Sequence, residues 1–279
     1  MLAKSFGSLL VLAIVPALSQ VPNAPSAPLQ DAGIIAPRQH APRRVYPGAP
    51  IRVINNVTVE ESTNWSGYAV EGTSFTSAKG SWIVPTVTCS KTPNTYSSFW
   101  VGIDGWTSST VEQTGTDSDC SGSRASYYAW YEFYPNPSIL VSSVPGSPGN
   151  KISATVTYNG SQFTITITNE TTGKSYSKSS TVRGAKRSSA EWIAEAPCCT
   201  NSGGILPLAD FGTVDFGQDY TDVTSTNYAI DSGINGPISD YGSSVFESIM
   251  VNGSSGADEA VPSGLSTDGS SFTVKWGSE

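Results

Sequence analysis

After residue 64 the sequence is a succession of short segments rich in β-branched and aromatic residues, separated by glycine, serine, asparagine and aspartate. The clearest example is residues 151–168, KISATVTYNGSQFTITIT, where apolar and polar residues alternate on both sides of Asn159-Gly160. Alternation with a period of two is typical of strands with one buried face, and Asn-Gly predicts a two-residue hairpin turn. No segment keeps the 3.6-residue periodicity of an amphipathic helix. The pattern therefore predicts one all-β domain, a sandwich or a barrel.

Six further segments are predicted to be strands by the same signal: 81–88, 98–105, 126–134, 191–196, 245–251 and 271–276. The fourth lies within SAEWIAEAP, residues 189–197. A strand there places Glu191, Ile193 and Glu195 on one face, and carboxylates four residues apart on a strand are roughly 13 Å from each other. A small catalytic site can therefore use at most one of these glutamates, and its partner must come from another segment.

The first residues are typical of a secretory signal peptide. Lys4 supplies a positive charge, residues 9–17 (LLVLAIVPA) form an apolar core, and Ala17 and Ser19 are small residues at the positions that a signal peptidase reads. We therefore predict a signal peptide over residues 1–19 and a secreted, extracellular protein. The alternative is a membrane anchor, which is disfavoured because no other stretch approaches the ~18 apolar residues of a membrane-spanning helix.

Residues 20–57 differ in composition from the rest of the chain. Seven prolines fall between Pro22 and Pro50, and the charged residues are four arginines and one aspartate, a net charge of +3. The residues after 57 contain ten basic and 22 acidic side chains, a net charge of −12. A proline-rich arm with few aromatic residues cannot fold alone. We predict that residues 20–57 are a basic propeptide held partly by charge on a catalytic domain of residues 58–279. A solvated linker is the alternative.

The acidic balance of the domain argues against nucleic acid or an anionic membrane as a partner, because both are bound by basic patches. Four cysteines in an exported chain predict disulfides, and Cys89 with Cys120 is the first pairing that we expect. We expect a monomer.

The single histidine of the chain, His40, excludes several kinds of site from the predicted domain. Neither a Ser-His-Asp triad nor a Cys-His pair can form without histidine, and the common metal ligand sets are missing too. We predict no metal and no cofactor. Asp231-Ser232-Gly233 has the form of an aspartic-protease loop, but that chemistry needs two such aspartates, so a turn is predicted.

Residues 127–135, YYAWYEFYP, place Tyr128, Trp130, Glu132 and Tyr134 on one strand face. Aromatic residues around one glutamate form either a groove that binds sugars or peptides, or a layer of the core. The pattern alone favours the core layer. Residues 99–117, FWVGIDGWTSSTVEQTGTD, place Gln113 and Asp117 on one strand face and Glu112 on the other.

Several of these motifs together resemble the glutamic peptidases, the eqolisin family of secreted acid proteases. They occur in the order of that family and cover most of residues 64–212: Asn64-Trp65-Ser66-Gly67, FWVGIDG (99–105), EQTG (112–115), AWYEFY (129–134), AEWIAE (190–195) and LPLADFG (206–212). A series of motifs in a fixed order is far more specific than any one of them.

The resemblance implies an acid endopeptidase whose substrates are proteins and peptides. It implies that Gln113 and Glu195 are catalytic and that Trp100, Asp104, Asp117 and Glu132 line the cleft. It also implies a concanavalin A-like sandwich of two large antiparallel sheets, which agrees with the strand pattern. In such an enzyme the glutamate activates water and no covalent intermediate forms.

Two other functions stay open on the residues alone. Glu195 and Glu132 could be the acid and the nucleophile of a β-sandwich glycoside hydrolase, which needs two carboxyl groups roughly 5–9 Å apart. The face with Tyr128 and Trp130 could belong to a noncatalytic carbohydrate-binding module.

Overall fold

The structure is a computed structural model, and it describes residues 38–198 and 204–277. The predicted signal peptide, residues 20–37 of the predicted propeptide and Cys199 lie outside the described residues. The elements in chain order are β1 (Arg52–Ile54), β2 (Val57–Ser62), β3 (Trp65–Glu71), β4 (Ser77–Ile83), β5 (Ser98–Ile103), β6 (Val111–Ser121), β7 (Arg124–Tyr134), β8 (Ile139–Pro145), β9 (Lys151–Tyr158), β10 (Phe163–Asn169), β11 (Lys174–Ser180), β12 (Ser189–Glu195), β13 (Thr213–Phe216), the short helix α1 (Gln218–Thr221), β14 (Tyr228–Asp231), β15 (Ile234–Pro237), a 3₁₀ segment (Ile238–Ser244), β16 (Val245–Val251), β17 (Asp258–Pro262) and β18 (Phe272–Trp276).

The strands form two layers, as the all-β prediction requires. One layer has the order β1-β2-β16-β3-β12-β5-β6-β7-β8, in which every pairing except the parallel pair β2–β16 is antiparallel. The other has the order β11-β10-β9-β4, continues from β4 to β13 and β14, and runs through β18 to β17. Pairing of β16 with β17 joins the two layers at one edge.

Strand alternation gives the first layer two apolar faces. Side chains such as Trp192, Phe99 and Val101 belong to the large core that the second layer supplies with Trp82 and Ile165. The opposite face carries a separate aromatic cluster made of Trp65, Ala69, Trp100, Trp106, Val111, Tyr128, Trp130 and Ile193. All seven residues of β12 are buried, because one face of the strand contributes to each cluster.

The disulfide expected between Cys89 and Cys120 is present, with its Cα atoms 5.3 Å apart. It ties the loop after β4 to the end of β6, one of the two longest strands. In the part of the chain that the structure describes, no helix is long and apolar enough to cross a membrane.

Two details of the strand prediction were wrong. Tyr158 pairs with Phe163, so β9 and β10 are joined by four residues and not by a two-residue Asn159-Gly160 turn. The side chain of Asn159 causes the difference, since its Oδ1 accepts hydrogen bonds from the backbone N–H groups of Ser161 and Gln162. The strand expected at 81–88 is β4, which begins four residues earlier and ends before Pro85.

The second half of the predicted propeptide is ordered against the domain. Residues 52–54 form β1, which pairs with β2 across the expected boundary at residue 57. Asn55 and Asn56 both have positive φ and form the turn between the two strands. Further upstream, Gln39 and Val45 form single bridges with Cys198 and Ser62. A proline-rich segment that cannot fold alone is therefore folded here by backbone pairing with strands of the domain.

Candidate active site

Strand register brings the candidate residues onto one face of the first layer. Across β12, β5 and β6, Glu195 is aligned with Ser98 and Asp117, whereas Gln113 is aligned with Gly102 on one side and Glu132 on the other. Between these two rows lies a third row that includes Trp100 and Trp130. The arrangement is an aromatic floor with Gln113 at one end and Glu195 at the other.

Gly115 makes this floor possible. A Cβ atom at Gly115 would lie 2.4 Å from the carbonyl oxygen of Phe99 and 2.6 Å from Cβ of Trp100. Any other residue would push the Trp100 ring out of its place. With the ring in this place, the indole N–H of Trp100 donates to Oε2 of Glu195 at 2.8 Å.

Residues 38–45 lie across this floor. Gln39 exchanges two backbone hydrogen bonds with Cys198, at 3.0 and 2.9 Å, just beyond the end of β12. The backbone N–H of Arg43 donates to the carbonyl of Gly105 at 3.1 Å, and that of Arg44 donates to the Asn64 side chain at 2.8 Å. This arm crosses the face in an extended conformation that is held on both sides.

His40 is the part of the arm that touches both ends of the floor. Its carbonyl oxygen accepts a hydrogen bond of 2.7 Å from Nε2 of Gln113. Its ring nitrogen Nδ1 lies 3.3 Å from Oε2 of Glu195, and Nε2 lies 3.8 Å from Oδ1 of Asp117. The imidazole is stacked on Trp130 with ring centroids 3.6 Å apart. One residue of the chain thus contacts Gln113 and Glu195 simultaneously.

Glu132 organises the Gln113 end. Its Oε2 accepts from the backbone N–H of His40 at 3.0 Å and from Nε2 of Gln113 at 3.1 Å. The two hydrogens of the Gln113 amide therefore point to Glu132 and to the His40 carbonyl. This orientation directs the amide nitrogen, and not its oxygen, at the peptide.

Burial dominates the electrostatics while the arm is bound. Burial raises the pKa of Glu195, and the charges of Glu132 and Asp117 raise it further, against the hydrogen bond from Trp100. Burial likewise raises the pKa of Asp117 and of Glu132. It lowers the pKa of His40. A closed cleft of this kind favours neutral groups.

Most of the predicted cleft residues are brought together, and one is not. Trp100, Asp117 and Glu132 lie around Gln113 and Glu195. Asp104 instead accepts hydrogen bonds of 2.7–3.1 Å from the backbone N–H groups of residues 186–188 and from the Ser188 hydroxyl. Its side chain holds the loop that leads into β12.

Glu191 lies in a different environment from Glu195. It is fully buried, and its pKa is raised by burial and then by the charges of Asp104 and Glu112. Burial also raises the pKa of Glu112 to about 9, with the Asp104 charge adding to it. Glu191 is therefore influenced by Glu112 and Asp104, and through Gly102 it is aligned with the row of Gln113 and Glu132.

Sequence reasoning placed His40 in the propeptide but did not predict its contacts with Gln113 and Glu195. The available signal was weak, because a single histidine beside proline in a basic arm has no strand pattern to place it. Among the described residues, no group of three or more histidine, cysteine, aspartate or glutamate side chains could hold a metal ion. Asp231 accepts from the backbone of Thr73 and Ser74 beside a two-residue turn.

Residues 63–258 match the Peptidase A4 family. The chain is 32% identical over 207 residues to aspergillopepsin-2 from Aspergillus niger, covering 65% of this chain and 73% of that protein. A scytalido-glutamic peptidase solved with a transition state analog inhibitor superimposes with a TM-score of 0.63 and 27% identity, covering 77% of this chain and 98% of the other. SCP-B, an eqolisin solved with the tripeptide Ala-Ile-His, gives a TM-score of 0.61 and 25% identity over the same shares. These matches support peptide-bond hydrolysis and not the glycosidase or carbohydrate-binding alternatives.

Proposed function

The chain belongs to the Peptidase A4 family and is a glutamic endopeptidase, and on that premise we propose that Gln113 and Glu195 are its catalytic pair. The observation that carries this proposal is the contact of both side chains with His40. Its carbonyl lies at Gln113 and its ring lies at Glu195. Both groups therefore lie at one residue of a bound peptide, Gln113 at its backbone carbonyl and Glu195 at its side chain.

In the proposed reaction, ionised Glu195 removes a proton from a water molecule whose oxygen adds to the substrate carbonyl carbon. Nε2 of Gln113 donates to the oxygen of that carbonyl as it becomes negative. The carboxylic acid formed on Glu195 then gives its proton to the departing amine, and the C–N bond breaks. The acid and amine products contain the atoms of the peptide and the water, without a covalent intermediate.

Two neighbours position this pair. The Trp100 indole N–H fixes one oxygen of Glu195, and Glu132 fixes the Gln113 amide. Since an amide keeps its N–H at any pH, Gln113 can stabilise an oxyanion in acid. Glutamate has a reference pKa of about 4.3, so the charged base and its conjugate acid coexist in that range. The pair is suited to an acid protease.

We also infer that residues 20–57 are a propeptide that keeps the enzyme latent. Gln113 and Glu195 are both 0% exposed with residues 38–45 in place. No outside peptide could reach them until this segment leaves. The opposite net charges of the arm and the domain favour the bound state at neutral pH. The signal-peptide pattern of residues 1–19 supports secretion, and the enzyme is proposed to act as a monomer.

The test of the catalytic pair compares Glu195→Gln, Gln113→Ala and Glu191→Gln with the parent. Trypsin first cuts each precursor at the exposed Arg52, and the arm is removed in acid by gel filtration, so that no variant depends on its own activity. Intact mass verifies that each variant has lost the arm.

Hydrolysis of a synthetic peptide near pH 4 is then measured. We expect a loss of about 10²–10⁴-fold for Glu195→Gln and about 10²–10³-fold for Gln113→Ala. Glu191→Gln should retain most of the activity, because the carboxyl group that contacts His40 is that of Glu195. Equal losses at Glu191 and Glu195 would remove the basis for this assignment.

A further inference from the structure

We propose that Glu60 and Trp106 form a subsite that selects peptide substrates with arginine at the third residue after the cleaved bond. The inference rests on the proposed roles of Gln113 and Glu195, because Gln113 marks the carbonyl that is attacked. It concerns separate peptides that enter the cleft once the arm has left. Arg43 of the arm shows which side chain the subsite fits.

The guanidinium of Arg43 is contacted on its face and at its edge. Its carbon Cζ lies 3.6 Å from the centroid of the Trp106 ring. Nη1 donates to a carboxylate oxygen of Glu60, and Nε donates to the carbonyl oxygen of Trp106 at 3.4 Å. The Arg43 side chain is 5% exposed and that of Glu60 is 16% exposed. An aromatic face combined with acceptors in the plane suits a guanidinium better than any other side chain.

The groups that bind this guanidinium belong to the domain and not to the arm. Glu60 lies on β2 and Trp106 lies in the loop after β5, and both follow residue 57, the predicted end of the arm. When the arm leaves, Arg43 leaves with it, whereas the indole face and the carboxylate stay. The enzyme without the arm therefore keeps a place for a cationic side chain.

A second carboxyl group adds negative charge at this place. Burial raises the pKa of Glu71, the charge of Glu60 raises it further, and the charge of Arg43 lowers it. Two acidic side chains are thus close enough to interact with the same arginine. Without a cation between them they repel each other, so a basic side chain of a substrate is favoured over a neutral one.

The Trp106 ring is held by contacts within the domain. Asp104 and Gly105 have φ values of 71° and 107°, which give the sharp turn at the end of β5. The Asp104 carboxylate fixes this turn, since it accepts hydrogen bonds from the backbone N–H groups of residues 186 and 187. Trp106 also packs against Phe246, with ring centroids 5.4 Å apart. A ring that is already positioned lowers the entropic cost of binding a side chain.

The number of residues between the two contacts determines which substrate position is selected. The His40 carbonyl lies at Gln113, and Arg43 follows three residues later. Between them, Nδ2 of Asn64 donates to the carbonyls of residues 41 and 42, at 3.5 and 3.3 Å. These backbone contacts require no particular side chain. A peptide bound in the same direction and register therefore places the third residue after its cleaved bond against Trp106.

The experiment uses the enzyme freed of its arm and a synthetic peptide that it cuts at a single bond, identified by mass. The third residue after that bond is made arginine or citrulline, which has the shape of arginine without its charge. We expect kcat/KM to be about tenfold higher for arginine. The same exchange at the second or the fourth residue should have little effect. Equal values at the third residue, or a larger effect at another of these positions, would overturn the proposal.

Variants test whether the preference comes from this subsite. Glu60→Gln should lower the ratio of the two kcat/KM values from about tenfold to about twofold, and Trp106→Leu should lower it as well. Glu61→Gln is the matched control, because Glu61 is the next residue on β2 and pairs with Arg52 instead. Both peptides are measured on one preparation, so a loss of folded protein cancels in the ratio. A ratio unchanged in Glu60→Gln would contradict the inference.

The subsite and the catalytic pair fail in different ways. No preference at the third residue, together with inactive Glu195→Gln and Gln113→Ala, would refute the subsite alone. Full activity of both variants would refute the catalytic pair, and with it the register from which the third residue is counted.

Discussion

The two ends of β12 carry the same residue type on the same strand face but in opposite surroundings. Glu195 lies with Asp117 and Glu132 in a group that we call the cleft cluster, which faces the arm. Glu191 lies with Glu112 and Asp104 in a group that we call the inner cluster, whose charges raise the pKa of Glu191. Both clusters are buried in this structure, and His40 of the arm contacts the cleft cluster.

This difference distinguishes the proposed catalytic carboxylate, Glu195, from Glu191, which has the same residue type and the same burial. In the inner cluster, the Asp104 carboxylate is occupied by the backbone of residues 186–188, so the cluster closes the entry to β12. At the cleft cluster, the His40 ring lies against the Glu195 carboxyl group, and the His40 carbonyl accepts from the Gln113 amide. The comparison predicts different responses to pH, to loss of a hydrogen bond and to loss of charge.

The largest effect is expected from pH acting on the inner cluster. Because the pKa of Glu112 in the folded state is about 9, unfolding releases a proton at any pH between about 4.5 and 9. The contribution of Glu112 to the free energy of unfolding is therefore fully present below about pH 4.5 and falls as the pH rises. Between pH 4.5 and 7 this one group costs about 3 kcal/mol of unfolding free energy.

Urea unfolding of the parent and of Glu112→Gln between pH 4 and 7 measures that slope. The variant should flatten it by about the same 3 kcal/mol. The inner cluster should contribute equally to the pH slope of the unfolding free energy with and without the arm. The cleft cluster should contribute to that slope only while the arm covers it. A slope that disappears entirely when the arm is removed would contradict the comparison.

A smaller effect is expected from the hydrogen bond that Trp100 donates to Glu195. Trp100→Phe keeps an aromatic ring and removes the N–H, and this bond lowers the pKa of Glu195. Its loss should raise that pKa and move the acid limb of the kcat/KM profile to higher pH by about one unit.

Trp192→Phe is the matched control on β12 itself. The Trp192 N–H donates to the Lys79 carbonyl in the core between the sheets and not to a carboxylate. It should lower stability without moving the acid limb. An identical profile for Trp100→Phe and the parent would show that this hydrogen bond does not tune the base.

The smallest effect is expected from the charges that hold the arm. Arg38 lies 3.9 Å from Asp119, and Arg43 and Arg52 pair with Glu60 and Glu61, so the charge contacts extend well beyond the cleft. An exposed pair such as Arg52–Glu61 contributes only ~0–1 kcal/mol, so several pairs must act together. Protonation of the carboxylates in acid, and added salt, should both loosen the arm.

The measurement is the rate of precursor maturation against pH and ionic strength, with Arg38, Arg43, Arg44 and Arg52 all changed to Gln. The variant should mature faster at neutral pH and lose its salt dependence. Arg183→Gln, a change outside the arm, serves as the control. If the fourfold variant remains as latent and as salt-sensitive as the parent, charge does not hold the arm.

Much of the molecule could be predicted from local sequence. Alternation predicted that Trp192 and Glu195 lie on opposite faces of β12. Trp192 packs in the large core between the layers, and Glu195 lies on the opposite face. The strand at 245–251 has the expected bounds, and Cys89 pairs with Cys120. These features depend on side-chain periodicity and on the chemistry of exported cysteines, which a single segment or pair already contains.

The tertiary structure alone decided which groups meet. Asp104 lies in the same motif as Trp100, yet only folding revealed that its carboxylate is occupied by residues 186–188. His40 precedes Glu195 by more than 150 residues, and no local pattern links a basic arm to the end of β12. The sequence by itself determined the strands and their faces, because these follow from a period of two. Only the folded chain decided which glutamate faces a peptide, because that depends on which distant segment covers each end of the strand.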